Sequence, residues 1–257
     1  MRINRAKRLL QEGKPSLGTW LSLPDPFAAQ FMAGLGFDWL TVDLEHSPIN
    51  LETAALMFQT IAQAGCVPLV RVPWNTAENV KRVLDAGAWG VVFPMQNSPA
   101  EVEAAVAAAK YPPRGIRSVG GSLHALSFGT DSATYVERAD AETLVVVQAE
   151  HIRAVENADA ILSVPGIDAV FIGPNDLSAS MGLRPSGDCA DPQVAEAVVH
   201  VRETALKHGV APGIHVFTPE AARRRIAEGF RFVALASEVS FMLSGARQAL
   251  QAVRGEG

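Results

Sequence analysis

Short apolar runs alternate with longer amphipathic segments along the whole chain. The apolar runs rarely alternate between apolar and polar positions, which is typical of parallel strands covered on both faces. They predict strands at residues 17–23, 37–43, 67–72, 89–95, 143–150, 167–173, 211–217 and 230–237. The amphipathic segments predict helices at residues 24–36, 51–65, 76–87, 99–111, 153–164, 191–209, 219–229 and 241–253.

The predicted helices end in glycine shortly before a strand begins, as in GFDW, GAWG, GIDA and GFRF. Glycine at such a position ends a helix at little steric cost. Eight strand–helix units in 257 residues favour an α/β protein with a TIM (β/α)8 barrel, a fold that takes about 250 residues. We therefore expect one domain over residues 1–257. A doubly wound sheet is the alternative, but no GxGxxG follows the first strand.

One long segment interrupts this alternation. Residues 112–142, PPRGIRSVGGSLHALSFGTDSATYVERADAE, are rich in glycine and serine at first and end in a predicted short helix at 131–142. Long loops in compact domains are usually functional. We expect the segment to cover a site or an interface; a surface loop without function is the alternative.

Composition excludes several classes of protein. Hydrophobic residues make up 48% and charged residues 19%, and the net charge of −5 gives no general attraction to nucleic acid or anionic membranes. No stretch approaches the roughly 20 apolar residues of a membrane span, and the N-terminus lacks the apolar run of a signal peptide. Cys66 and Cys189 have neither metal-type spacing nor a disulfide framework. A soluble cytoplasmic protein is expected.

Polar side chains gather where the predicted strands end at their carboxyl termini. This end of a TIM barrel carries the chemistry. The residues are Asp43, Glu45, His46, Arg71, Gln148, Glu150, His151, Asn175, Asp176, His215, Ser237 and Glu238. Each has a plainer explanation: Arg71 as a buried arginine held by structural carboxylates, or Asp176 as a helix cap. Their common location at one end favours an enzyme.

The residue types indicate the chemistry. Glu150 and Asp176 follow adjacent strands and together offer the carboxylate oxygens that Mg²⁺ or Mn²⁺ prefers. Arg71 is suited to face a substrate oxyanion, and His46 beside Asp43 is suited to acid–base catalysis. Zinc is disfavoured because HExxH and paired cysteines are absent. A Schiff-base mechanism is disfavoured because no lysine falls at a strand end.

Five stretches together resemble a known family: GFDWLTVDLEHSP, VPLVRVPWN, YPPRGIRSVGG, VVVQAE and VFIGPNDLSASMG. The chain resembles the HpcH/HpaI family of class II, metal-dependent pyruvate aldolases over nearly its whole length. The resemblance implies a barrel of the phosphoenolpyruvate/pyruvate-binding superfamily. It also implies reversible cleavage of a 4-hydroxy-2-oxo acid into an aldehyde and pyruvate, or a pyruvate analogue such as hydroxypyruvate.

The resemblance also implies roles for particular residues. Glu150 and Asp176 match the ligands of a divalent metal (Mg²⁺, Mn²⁺ or Co²⁺), and Gln148 matches a residue near the keto acid. Arg71 matches the arginine that steadies the enolate, and His46 the base, with Asp43 as its partner. The segment that holds the pyruvate carboxylate through its N–H groups is matched by Gly173, Pro174, Asn175 and Asp176. Trp20 and His215 are further candidates for the substrate pocket, although no family residue is matched there.

Some features depart from the family pattern or extend the resemblance. The chain reads QAEH and GPNDLS where relatives often read QIET and GPADLS, and neither change removes a ligand. His215 replaces a commonly apolar residue and suggests a hydroxylated or acidic aldehyde; Trp20 is equally well explained as core. The family's hexamers, trimers of dimers that exchange C-terminal helices, make a homo-oligomer the expectation.

Three alternative functions stay open. An acyl-CoA lyase of the citrate lyase β or malyl-CoA type would share the metal site. A phosphate-binding barrel isomerase or synthase could use GIRSVGG, but that stretch follows the fourth helix rather than the seventh and eighth strands, where such sites usually lie. A non-enzymatic binding protein would leave the polar strand ends unexplained. The role of Glu45 stays open as well.

Overall fold

A closed barrel of parallel strands forms the centre of the molecule. The computed structural model describes residues 1–187 and 189–255. Within them, eight strands pair in chain order, and the eighth closes onto the first. The strands are β1 Ser16–Leu21, β2 Trp39–Asp43, β3 Val67–Arg71, β4 Gly90–Phe93, β5 Leu144–Ala149, β6 Ala169–Ile172, β7 Ala211–Val216 and β8 Phe232–Ser237. Each predicted strand is observed, and the predicted TIM barrel is confirmed.

Helices surround the barrel and return the chain to the amino-terminal end of the next strand. They are α1 Arg5–Gln11, α2 Pro26–Ala33, α3 Leu51–Gln63, α4 Ala77–Asp85, α5 Pro99–Ala109, α6 Leu123–Ser127, α7 Ser132–Glu142, α8 Ile152–Glu156, α9 Ala158–Leu162, α10 Pro174–Ser180, α11 Pro192–Lys207, α12 Pro219–Ala227 and α13 Glu238–Arg254. The prediction missed three helices and one break. The helices α1, α6 and α10 were not expected, and the single helix predicted at 153–164 is divided at Asn157 into α8 and α9.

Aromatic side chains fill the lower interior of the barrel. Trp39 stacks on Phe232 with ring centroids 4.2 Å apart. Gly18 makes room for this pair, because a Cβ there would lie 2.0 Å from the Trp39 ring. Higher in the barrel, Phe171 meets Trp20 edge to face at 5.6 Å. This aromatic filling reaches Trp20, which lies just below the carboxyl-terminal mouth.

The segment 112–142 packs at the amino-terminal end of the barrel. Trp89, which directly precedes β4, stacks on Phe128 at 4.2 Å and donates a hydrogen bond from its Nε1 to Ser127. The predicted helix at its end is confirmed as α7. We expected the segment to cover a site or an interface. It does not cover the carboxyl-terminal mouth of this barrel, because the contact between Trp89 and Phe128 holds the segment at the opposite end.

Within this segment, Arg117 is held entirely inside the protein. Its guanidinium lies over the ring of Tyr111 at 4.5 Å and pairs with Asp85 at 2.7 Å. The side chain has no exposed surface. GIRSVGG therefore does not offer its arginine to an external phosphate, which weakens the phosphate-binding alternative.

The last helix, α13, lies largely in solvent. Of its residues only Glu238 is buried. Its exposed apolar side chains are Phe241, Met242, Leu243, Leu250 and Val253. Among the described residues, no helix is both long and apolar enough to cross a membrane.

Candidate active site

A cavity of about 270 Å³ opens at the carboxyl-terminal end of the barrel. Every residue to which the sequence assigned a catalytic, metal-binding or substrate-binding role lines it. These residues are Trp20, Asp43, His46, Arg71, Gln148, Glu150, Gly173, Pro174, Asn175, Asp176 and His215. Ser22, Phe171 and Ser237 complete the lining. Side chains from distant parts of the sequence thus face one small space, which is the usual arrangement of a barrel enzyme.

Arg71 is fixed by its neighbours on three sides. Asp43 and Arg71 are register partners at the ends of β2 and β3. The Arg71 Nε and Nη2 donate to the two Asp43 carboxylate oxygens at 2.9 and 2.7 Å. The guanidinium lies 4.6 Å from the Trp20 ring centroid, and its Nη1 pairs with Glu45 at 3.0 Å. Burial lowers the pKa of Arg71, but the hydrogen bonds and charge of Asp43 and the charge of Glu45 raise it by more than burial lowers it. The net effect is a raised pKa, so Arg71 stays a cation.

Asp43 also folds the loop that follows β2. Its Oδ1 accepts hydrogen bonds from the backbone N–H groups of Glu45 at 3.0 Å and His46 at 3.4 Å. The His46 side chain is 65% exposed, and its Nε2 lies 3.8 Å from the Glu45 carboxylate. The expectation that Asp43 orients the imidazole therefore needs correction. Asp43 is the last residue of its strand, so its carboxylate reaches the turn backbone and Arg71. Glu45 is the acid that lies beside the His46 imidazole.

Glu150 is buried, and both of its oxygens are held. Met95 donates its backbone N–H to Oε1 at 2.8 Å, and Gln148 donates from Nε2 to Oε2 at 2.7 Å. Met95 adopts a φ of 54°, a strained value for a residue other than glycine. Gly173 is required beside the carboxylate, because a Cβ there would lie 2.8 Å from Oε2. The Glu150 carboxylate is thus confined to one position.

The charge of Glu150 is costly in the absence of a cation. Burial raises the pKa of Glu150 to about 7, and the nearby Glu45 and Asp176 carboxylates add to the increase. The Met95 hydrogen bond and the Arg71 charge oppose it without cancelling it. An acid in this environment favours either a proton or a bound cation.

The helix α10 brings its first turn to the cavity. Gly173 is the N-cap, Pro174 follows it, and no side chain caps the helix. Asp176 is an exposed residue of the first turn rather than the cap, so the plainer explanation of Asp176 as a helix cap is wrong. His151, another polar residue at a strand end, is a cap: it begins α8 and accepts from the Arg153 N–H.

His215 is a neutral, oriented ring. Its Nε2 lies 3.0 Å from the carbonyl oxygen of Ala236. A carbonyl only accepts hydrogen bonds, so the proton is on Nε2 and Nδ1 is an acceptor. Burial lowers the pKa of His215 to about 4, and the Arg71 charge contributes to the decrease. The ring lies between Trp20 and Phe217, with centroids 6.1 and 4.5 Å away.

Two lining residues were missed by the sequence reasoning. Phe171 reads as an ordinary core residue of β6, and Ser22 carries no signal beyond its place after β1. Ser22 is held by Glu238, whose Oε1 accepts the backbone N–H groups of Ser22 and, at 2.7 Å, Leu23. Glu238 is buried and is the first residue of α13. Its hydrogen bonds therefore connect the loop after β1 to the start of that helix.

The carboxylates fit a divalent cation that is completed by other ligands. Glu150 is the buried acid whose pKa is raised, and Asp176 contributes to that increase. In the described part of the chain, no group of three or more His, Cys, Asp or Glu residues is arranged to hold a metal. Two carboxylates together with water and substrate oxygens make up the ligand set typical of Mg²⁺. The donor set therefore suits a cation whose remaining positions are open.

Comparison with known proteins agrees with a barrel enzyme of this kind. The family model described as HpcH/HpaI aldolase/citrate lyase matches residues 16–244. The chain is 39% identical over 243 residues to the 4-hydroxy-2-oxo-heptane-1,7-dioate aldolase of Salmonella heidelberg (strain SL476), which covers 95% of this chain and 92% of that protein. It is 37% identical over 252 residues to the hydroxypyruvate/pyruvate aldolase of Rhizorhabdus wittichii, with 98% and 99% covered.

A solved structure gives the same result. An HpcH/HpaI aldolase/citrate lyase family protein from Burkholderia cenocepacia J2315 superposes with a TM-score of 0.91 at 38% identity, over 98% of this chain and 99% of that chain. Fold and site define an enzyme that is a lyase of the (β/α)8-barrel type. The chain belongs to the HpcH/HpaI aldolase/citrate lyase family, which confirms the resemblance stated above.

Proposed function

We propose that this protein is a class II, divalent-metal-dependent aldolase. It reversibly cleaves a 4-hydroxy-2-oxo acid into an aldehyde and pyruvate, or a pyruvate analogue such as hydroxypyruvate. The observation that carries this proposal is that Glu150, Asp176, Arg71 and His46 all line the cavity at the barrel mouth. The aldolase relatives, which match nearly the full chain, support it.

Glu150 and Asp176 hold the metal in this proposal, with Mg²⁺, Mn²⁺ and Co²⁺ as candidates. When bound, the cation supplies Lewis-acid polarisation of the 2-oxo group. Gln148 and the Met95 N–H fix the Glu150 carboxylate, which sets the direction of its free lone pairs. Gln148 acts on the substrate chiefly by orienting this carboxylate. Its own Oε1 is buried without a hydrogen-bond partner and is available to a ligand.

The remaining side chains bind the substrate and move its proton. The uncapped first turn of α10, from Gly173 to Asp176, offers N–H groups to the substrate carboxylate. His46 takes the proton of the 4-hydroxyl, and the electron pair of the O–H bond forms the aldehyde carbonyl. The C3–C4 bond breaks, and its electrons form the enolate, whose oxygen faces the Arg71 guanidinium. Protonation at C3 then gives pyruvate.

His215 indicates the kind of aldehyde. The Nδ1 atom, left as an acceptor by the contact with Ala236, favours a partner that donates a hydrogen bond. A hydroxyl group donates, whereas a carboxylate only accepts. Of the two substituents suggested by the sequence, the hydroxylated aldehyde is the better match. Replacement by leucine should reduce the preference for hydroxylated over unsubstituted aldehydes in aldol addition, measured as the ratio of kcat/KM values.

A panel of 4-hydroxy-2-oxo acids tests the proposal, with pyruvate release measured for each metal. Release from several members, with saturation kinetics, is expected. No release from any member in the presence of any of the three metals contradicts the proposal. The acyl-CoA lyase alternative predicts cleavage of CoA thioesters instead.

The proposal extends to the organisation of the protein. Residues 1–257 form one catalytic domain that acts in the cytoplasm as a hexamer, a trimer of dimers. The exposed apolar side chains of α13 support a homo-oligomer, because such a face is otherwise left to water. Light scattering tests this point, and a monomer in solution contradicts it.

A further inference from the structure

Glu45 contacts the two proposed reaction residues from outside the cavity. Its Oε2 lies 3.0 Å from Arg71 Nη1 and 3.8 Å from His46 Nε2. The side chain is 15% exposed, yet the described residues that line the cavity do not include it. Glu45 therefore touches the groups that face the substrate without facing the substrate itself.

The position of Glu45 completes the fixation of the guanidinium. Asp43 holds the Nε and Nη2 edge of Arg71, and Trp20 covers one face. The Nη1 end has Glu45 as its charged partner. The contact is an ion pair rather than an aligned hydrogen bond, because Oε2 has no hydrogen-bond partner. Charge, more than hydrogen-bond geometry, accounts for this interaction.

A charged carboxylate at this place is unfavourable without cationic partners. Burial raises the pKa of Glu45, and the charges of Asp43 and Asp176 act in the same direction. Arg71 and His46 provide the opposing attraction. The backbone of Glu45 is tied to Asp43 Oδ1, so the turn directs the side chain towards Arg71.

We propose that Glu45 is a positioning residue. It holds both the Nη1 end of Arg71 and the His46 imidazole in place for the transition state. The inference rests on the proposed aldolase function. A donor that stabilises an enolate acts only from the right distance to the developing charge. Substrate binding in the ground state relies more on the first turn of α10 and depends less on Glu45.

Two substitutions of Glu45 test the proposal. Glu45→Gln keeps the shape and removes the charge, whereas Glu45→Asp keeps the charge on a shorter side chain. Misplaced catalytic groups and lost supporting partners reduce rates by about 10- to 100-fold. The Gln variant should lose kcat in this range with KM changed by less than about threefold, and the Asp variant should recover part of the loss. Glu103 is an exposed residue of α5, and Glu103→Gln is the matched control, which should leave kcat unchanged.

The affinity for oxalate, measured by calorimetry with Mn²⁺ present, provides a readout without turnover. Oxalate is a planar mimic of the pyruvate enolate, so its affinity should fall with kcat in Glu45→Gln while pyruvate affinity changes little. In an Arg71→Ala background, Glu45→Gln should have almost no further effect on oxalate affinity, because Glu45 acts on the enolate mimic through Arg71.

Unchanged oxalate affinity in Glu45→Gln overturns the inference, as does an additive loss of oxalate affinity in the double variant. Failure of the wild-type protein to release pyruvate contradicts the proposed function instead. Because oxalate binding needs no turnover, the two failures are distinguishable. Thermal melting of every variant checks that the fold is intact.

Discussion

Replacing Glu150 by glutamine should stabilise the metal-free protein at neutral and alkaline pH. The folded protein raises the pKa of Glu150 from 4.5 to about 7. A raised pKa means that the folded state binds the proton more tightly than the unfolded state. The stability linked to this proton is complete below about pH 4.5 and is lost as the pH rises towards 7. A shift of this size corresponds to about 3 kcal/mol at most.

Glutamine removes the charge and keeps the shape. The Met95 N–H can still donate to its side-chain oxygen, and Gln148 can turn its unpartnered Oε1 towards the new amide. We therefore expect Glu150→Gln and wild type to have similar free energies of unfolding at pH 5. At pH 8 the variant should be more stable by up to about 3 kcal/mol.

Urea unfolding between pH 5 and 8.5, with chelator present and protein concentration fixed, measures this difference. Other groups also titrate: burial lowers the pKa of Lys110 to about 8 and that of His215 to about 4. They are common to both proteins and cancel in the difference. Saturating Mn²⁺ should remove or reverse the advantage of the variant, because it stabilises the charged carboxylate. A difference that does not depend on pH would refute the reasoning.

Two further substitutions address the arginine and the glycine of the cavity. Arg71→Lys loses the paired hydrogen bonds to Asp43 and should reduce the kcat/KM of pyruvate release by about 100- to 1000-fold, while the circular dichroism melt stays close to wild type; near-normal turnover would contradict this role. Gly173→Ala places a Cβ 2.8 Å from Glu150 Oε2 and should weaken Mn²⁺ binding by about 10- to 100-fold, measured by calorimetry. Gly120→Ala is the control and should leave Mn²⁺ binding unchanged, because a Cβ there meets no atom within 4 Å.

The barrel was predictable because its determinants are local and repeated. Apolar runs mark strands whichever neighbour they pair with, and the closing glycines mark the helix ends. The site followed from the barrel, since residues such as Arg71 and Glu150 come to one mouth once each is placed at a strand end. Type and position in a strand were enough to find them.

Interactions between separate loops were not predictable in the same way. The left-handed conformation of Met95, which aims its N–H at Glu150, leaves no trace in residue type. Asp43 was paired with the His46 imidazole because the two are close in sequence, whereas its carboxylate pairs with Arg71 on the neighbouring strand. The segment 112–142 packs at the amino-terminal end because Phe128 finds Trp89 there, a contact that no periodicity encodes.

The central claim, metal-dependent cleavage of a 2-oxo acid at this cavity, is tested most directly by removing and restoring the metal. Pyruvate release from a 4-hydroxy-2-oxo acid is followed after exhaustive chelation and then after addition of Mg²⁺, Mn²⁺ or Co²⁺. Wild type should lose its activity and regain it, and Glu150→Gln should stay inactive at every metal concentration. Full activity after chelation, or full recovery in Glu150→Gln, would contradict the account.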